Sequence, residues 1–174
     1  MRLLKPFLFV TLGFFFLISL ISLLIPSRVV TTKSATIHAP KEKILAAVTD
    51  LKVWQNWHPL FRATPAINIS APSIGVGAHA DWVSASKQNS LRITEMSADG
   101  IKITLERTGE NPVENALVVL AVEEAGTYHL EWRSITKLKW YPWEKFAGIF
   151  VSDITGPGYE AALNELKKFV EIPQ

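Results

Sequence analysis

Residues 49–61 read TDLKVWQNWHPLF, and Trp54, Trp57 and Phe61 stand in it at spacings of three and four. On a helix those spacings put all three rings on one face. Asp50 precedes the stripe as a cap and Pro59 closes it. Burying one large aromatic ring is worth at most about 4 kcal/mol. A stripe of this kind therefore predicts a covering sheet, a ligand, or both.

The segments on either side supply the sheet. Upstream, VVTTKSATIHA from Val29 is β-branched and partly alternating, which predicts a first strand. Pro40 and KEKILAAV follow as a short helix with Ile44, Leu45 and Val48 on one face. Downstream, two-residue periodicity recurs in 66–70, 78–85, 90–97, 101–107, 113–124 and 127–138. Turn signals at 71–73, 75–77, 98–100, 109–112 and Ala125-Gly126 separate these segments. Short loops between consecutive strands imply an antiparallel meander. At the end, WEKFAGIFVSDI and YEAALNELKKFV are helical, with Gly156-Pro157-Gly158 between them. That ending reads either as one long helix kinked at 156–158 or as two helices. Strand, two short helices, about six strands and a long amphipathic helix form an α+β order, in which the last helix covers one face of the sheet.

The composition is uneven. Hydrophobic residues make up 48% of the 174, but residues 6–27 carry no charge at all. The nineteen residues from Phe7 to Ile25 span about 29 Å as a helix, the thickness of a hydrocarbon core. Leu24, Ile25 and Pro26 are poor cleavage neighbours, so the stretch reads as an uncleaved single-pass anchor rather than a signal peptide. The expected organisation is an anchor over 1–26, a linker over 27–33 and one domain over 34–174. Arg2 and Lys5 lie on one side of the span and Arg28 and Lys33 on the other. We read the amino terminus as inside, which places the domain on the extracytoplasmic (periplasmic) side. Without those four basic residues the net charge of +2 becomes −2, so the domain has no basic face for a nucleic acid. There is no cysteine, which excludes disulfides, thiol catalysis and Cys-based zinc sites.

Several pieces in this order resemble the START-like (SRPBCC) superfamily, in its polyketide cyclase/dehydrase-type branch, which includes members with an N-terminal membrane helix. They are SATIHAP at 34–40, Val48-Thr49-Asp50 with Trp54, Trp57-His58-Pro59, the Gly75-Val76-Gly77-Ala78 turn into the strand of Trp82, and TGPGYEAALNELKKFVE at 155–171. The resemblance covers 34–174. It implies a helix-grip fold, a curved antiparallel sheet wrapped around a long C-terminal helix, preceded here by the transmembrane helix. It also implies a cavity between them for a hydrophobic or amphipathic small molecule.

In such a cavity the expected lining is Trp54, Trp57 and Phe61 from the helical plug, Trp82, Ile93, Glu95 and Trp132 from strands, and Phe146 and Phe150 from the last helix. Each also has a plain reading as core. Trp140, Tyr141 and Trp143 read as packing, or as a belt at the membrane surface. Two functions follow: a membrane-anchored binding domain for a lipid-like molecule, and a cyclase or dehydratase. The second needs an inward acid or base, and Glu95, which shares parity with Ile93, is the candidate. The absence of a recognisable catalytic constellation favours the first. A third class, a membrane assembly partner, would have a packed interior and an exposed apolar patch.

His79 and Asp81 share parity, but two ligands make an incomplete metal site, and no metal is expected. His38, His58 and His129 are isolated and read as solvated or capping. Residues 75–80 fit G-x-G-x-x-A only formally, because strand rather than helix follows, and no cofactor is expected.

Overall fold

The computed structural model describes residues 4–64, 66–124 and 126–172. Arg2 and Ala125, used above for topology and for a turn, lie outside the described residues. Helix α1 (Leu4–Leu23) is long and apolar enough to cross a membrane by length and composition, and almost all of its described surface is exposed. Then come β1 (Arg28–His38), α2 (Lys41–Thr49), α3 (Trp54–Trp57) and α4 (Pro59–Ala63). Strands β2 (Asn68–Ile69), β3 (His79–Ser84), β4 (Lys87–Ser97), β5 (Gly100–Arg107), β6 (Val113–Ala121) and β7 (Thr127–Lys137) follow. Helices α5 (Pro142–Gly148) and α6 (Val151–Glu171) complete the chain.

The seven strands form one antiparallel sheet in the order β1-β7-β6-β5-β4-β3-β2. The first strand of the domain therefore pairs with the last, and α2–α4 carry the chain to the far edge. The alternation in each strand sends one set of side chains inward: Leu91 and Ile93, Ile101 and Ile103, Leu117 and Val119, Leu130 and Trp132. Helix α6 lies along β1 and closes that face with Ala162, Leu163, Leu166 and Val170. This is the α+β helix-grip architecture expected from the order of elements.

The strand expected from Val29 forms, and it pairs with β7 from Arg28 onward. Three local features depart from the sequence reading. Asp50 does not cap the aromatic helix. It bridges to Ile74, and its carboxylate accepts from the Lys52 amide at 2.9 Å. The aromatic segment is two helices, because Pro59 holds His58 in an extended conformation (φ −77°, ψ 120°) and then occupies the first turn of α4.

At the C-terminus the break falls at Ile149–Phe150, and α6 runs unbroken through Pro157. Gly156 is buried where α6 meets β1, and a Cβ there would stand 3.0 Å from Cε of the flexible Lys33 side chain.

Candidate functional site

The interior between sheet and helix is an aromatic cluster. Trp54 is the hub, with ring centroids 5.1 Å from Trp57, 5.3 Å from Phe61 and 6.1 Å from Trp132. Phe61 continues the chain to Trp82 at 6.2 Å, and Trp132 to Tyr159 of α6 at 5.2 Å. Trp54, Trp57, Phe61, Trp82, Ile93 and Trp132 are all buried, so six of the expected lining residues are brought together. They are brought together as packing. The five most prominent recesses among the described residues all lie elsewhere, and under α6 these rings pack against one another.

The polar atoms of the cluster are paired. The Trp54 and Trp57 indole N–H groups donate to the carbonyls of Val48 (2.9 Å) and Ala47 (3.0 Å), which ties both rings to the end of α2. Trp132 Nε1 donates to the buried Asn115 side chain at 3.1 Å. The hydroxyls of Ser134 and Tyr159 share a hydrogen bond of 2.9 Å between β7 and α6. Among the described residues, no fully buried side-chain nitrogen or oxygen lacks a partner. A buried polar group without one would cost about 1–3 kcal/mol, so this pairing helps fix a single arrangement of the rings.

The titratable group inside the cluster is His58. Its ring stacks on Trp54 (5.1 Å, 6° between planes) and touches the rings of Trp57, Phe61 and Trp132. Burial lowers its pKa from 6.5 to about 4. Nδ1 accepts from the Leu60 amide at 3.2 Å and caps α4, so the neutral ring carries its proton on Nε2. The sequence reading was right about the cap and missed the burial, because an isolated histidine beside a proline carries no signal of its depth. Asn115, Ser134 and Tyr159 were also missed as site residues. All three share the inward face of a strand or helix with recognised core residues, and parity alone would have found them.

Glu95 does not reach the interior. A bulge interrupts the β4–β5 register between Ile93 and Glu95, so that Ile93 faces Ile103 but Glu95 faces Lys102. The extra residue reverses the parity, and Glu95 lies on the outer face, 2.6 Å from Lys102 Nζ with both side chains largely exposed. Phe150, expected to look inward, is exposed, and Phe146 is only partly buried. His79 and Asp81 form a surface pair at 3.6 Å. No group of three metal-ligating side chains occurs among the described residues. The exposed positions of Arg92 and Glu106 agree with a wet outer face.

A second feature lies at the other end of the grip. A recess of about 260 Å³ opens between α1 and the turn before α5, lined by Phe15, Phe16, Leu20 and Leu23 on one side and Trp140 to Trp143 on the other. The junction is clamped by Lys145, buried, whose ammonium donates to the Ile25 carbonyl (2.9 Å) and to Ser27 Oγ (2.5 Å). It thereby satisfies backbone left open just beyond the end of α1.

No protein-family model matches the chain, and no curated protein does. Solved structures do match. A START superfamily protein from Mycobacterium smegmatis superposes with a TM-score of 0.59 at 15% identity, covering 82% of this chain and 97% of that one. Norcoclaurine synthase from Thalictrum flavum gives 0.60 at 15% identity, over 84% of this chain and 96% of its own. DynU16, from the dynemicin biosynthetic locus, gives 0.57 at 14% identity, over 82% of this chain and 47% of its own. What these proteins share with the chain is the architecture, and the fold is therefore START-like: a seven-stranded antiparallel sheet gripping a C-terminal helix.

Proposed function

We propose that the protein is a membrane-anchored binding domain for a hydrophobic or lipid-like small molecule. The observation that carries this is the recess where the anchor meets the domain. Its walls are Phe, Leu, Trp, Tyr and Pro side chains together with Ser19 and Ser22. At about 260 Å³ it falls just below the usual range for small-molecule sites, about 300–1,000 Å³. Its size suits a chain-like apolar segment rather than a bulky polycycle. The packing of the aromatic cluster under α6 supports this junction over the interior as the ligand's place.

The test is photo-crosslinking of the full-length protein in nanodiscs with a diazirine-bearing fatty acid, followed by peptide mapping. Adducts are expected on 15–23 and 140–143, and they should fall away in Ser19→Trp, which fills the recess. Adducts unchanged by Ser19→Trp would reduce the signal to lipid bathing the anchor, and adducts on Trp54 or Trp132 would return the ligand to the interior.

The cyclase or dehydratase alternative rested on Glu95. With that carboxylate paired to Lys102 on the outer face, the alternative loses the residue that motivated it.

A further inference from the structure

We infer that residues 140–154 form a second membrane contact, a wedge seated in the interfacial layer beside the anchor, with bilayer lipid as its occupant. The inference rests on the reading of α1 as embedded and is independent of whether a ligand fills the recess.

Geometry along α1 sets the depth. The recess shared with Trp140 to Trp143 reaches back from Leu23 to Phe15, eight residues or about 12 Å along the helix axis. If α1 is in lipid, so is this turn. Helix α5 then climbs back, with Lys145 beside Ile25 and Ser27 and Gly148 against Leu138, whose amide bonds to the Ser27 carbonyl. The start of α6 continues upward, and Gly156 is level with Thr31 and Lys33 of β1. The segment thus begins at acyl depth and leaves the membrane within its own length.

The chemistry of the outward face fits that path. Trp140 is 81% exposed, Trp143 64%, Phe150 59% and Ile154 75%, with Ile149 beside them. Trp143 and Ala147 of α5 are followed across the break by Phe150 and Ile154 at the start of α6, and all four are exposed, an apolar stripe carried over two helices. That stripe faces away from the protein. Both charges of α5 are turned inward: Lys145 holds the end of the anchor, and Glu144 accepts from the Lys139 amide at 3.1 Å. The outward face of α5 is left uncharged, with two tryptophans at its deep end, and the exposed charge of the segment, Asp153, stands at the start of α6 where the segment leaves the membrane, an order that suits the water–lipid boundary. A patch of this size on a water-facing surface would be a liability for association. Continuity with the anchor identifies what covers it.

The chain has no cysteine, so single sites can be labelled. Full-length protein carrying Phe15→Cys, Trp143→Cys, Phe150→Cys, Ile154→Cys or Val83→Cys is labelled with NBD in phosphatidylcholine–phosphatidylglycerol nanodiscs and challenged with doxyl lipids. Val83, on β3, is the exposed comparison site. The expected result is blue-shifted emission quenched by doxyl lipid at 15, 143 and 150, weaker quenching at 154, and a water-like, unquenched label at 83. Water-like labels at 143, 150 and 154 with a quenched label at 15 would overturn the inference and leave the anchor standing. Water-like emission at 15 as well would overturn both. Blue-shifted but unquenched labels would show that protein covers the stripe, which also overturns it. Should Trp143→Cys fail to fold, the exposed sites at 150 and 154 carry the test.

Discussion

Acidification should destabilise this domain through one side chain, His58. Its pKa is about 4 in the folded chain against 6.5 without burial. The unfolded chain therefore takes up a proton between those values that the folded chain refuses. The associated stability is fully present above pH 6.5 and is lost as pH falls toward 4. From pH 7.5 to pH 5 the loss is about 2 kcal/mol, and below pH 4 it approaches about 3 kcal/mol, an upper value because the ring keeps an exposed edge. Protonation also removes the Nδ1 lone pair that accepts from the Leu60 amide, so the cap of α4 is lost in the same step. The assay is urea unfolding of the full-length protein in mild detergent, followed by tryptophan fluorescence. With an m-value of about 2 kcal/mol per molar, the midpoint should fall by about 1 M between pH 7.5 and pH 5. The control is His58→Asn, which can still cap a helix but does not titrate. Glu110, Glu114 and Glu165 have pKa values lowered from 4.5 by their lysine and arginine partners, so their contributions are lost only below this window. An unchanged midpoint in the native protein, or an equal fall in His58→Asn, would refute the reasoning.

Three further outcomes are expected. Gly100→Ala should destabilise by more than about 3 kcal/mol or prevent folding, because its Cβ would stand 1.9 Å from the Leu117 carbonyl oxygen; thermal melts of the two proteins decide this. Asn115→Leu should cost about 1–3 kcal/mol by stranding the buried Trp132 indole N–H. A double-mutant cycle with Trp132→Phe should recover part of that loss, whereas additive losses would show that the hydrogen bond contributes nothing. Glu95→Gln should change stability by no more than about 1 kcal/mol, as for any exposed ion pair, and leave photo-adduct yield unaltered; a loss of adducts would restore Glu95 to the site.

Periodicity made the fold legible, since it tests burial directly. Ala78, Ala80 and Trp82 share an inward face as their parity demands, and so do Leu130 and Trp132. Where the sequence misled, one residue changed the count. The bulge before Glu95 has no glycine or proline to mark it, yet it moves the carboxylate from one side of the sheet to the other. The stripe ending in Phe150 and Ile154 failed differently. Helical spacing says that one face is apolar, but not whether protein or lipid covers it. Gly156-Pro157-Gly158 looked like a break because both residue types disfavour helix interiors. In place, α6 runs through all three, with Gly156 against the Lys33 side chain of β1.

The pairing of β1 with β7 has a consequence during synthesis. Arg28 meets Lys137, and Lys33 meets Trp132, so β1 waits for about a hundred further residues before the strand it pairs with exists. At ordinary translation rates of about 5–20 residues per second, that wait lasts about 5–20 s. Through it, an unpaired strand hangs beside the apolar helix that precedes it. Its sequence, RVVTTKSATIH, puts threonines, a serine and Lys33 among the valines, the kind of polar edge that discourages pairing with a stranger. The polar character of β1 therefore protects the nascent chain, and any change that makes this strand more apolar should show first as poor yield.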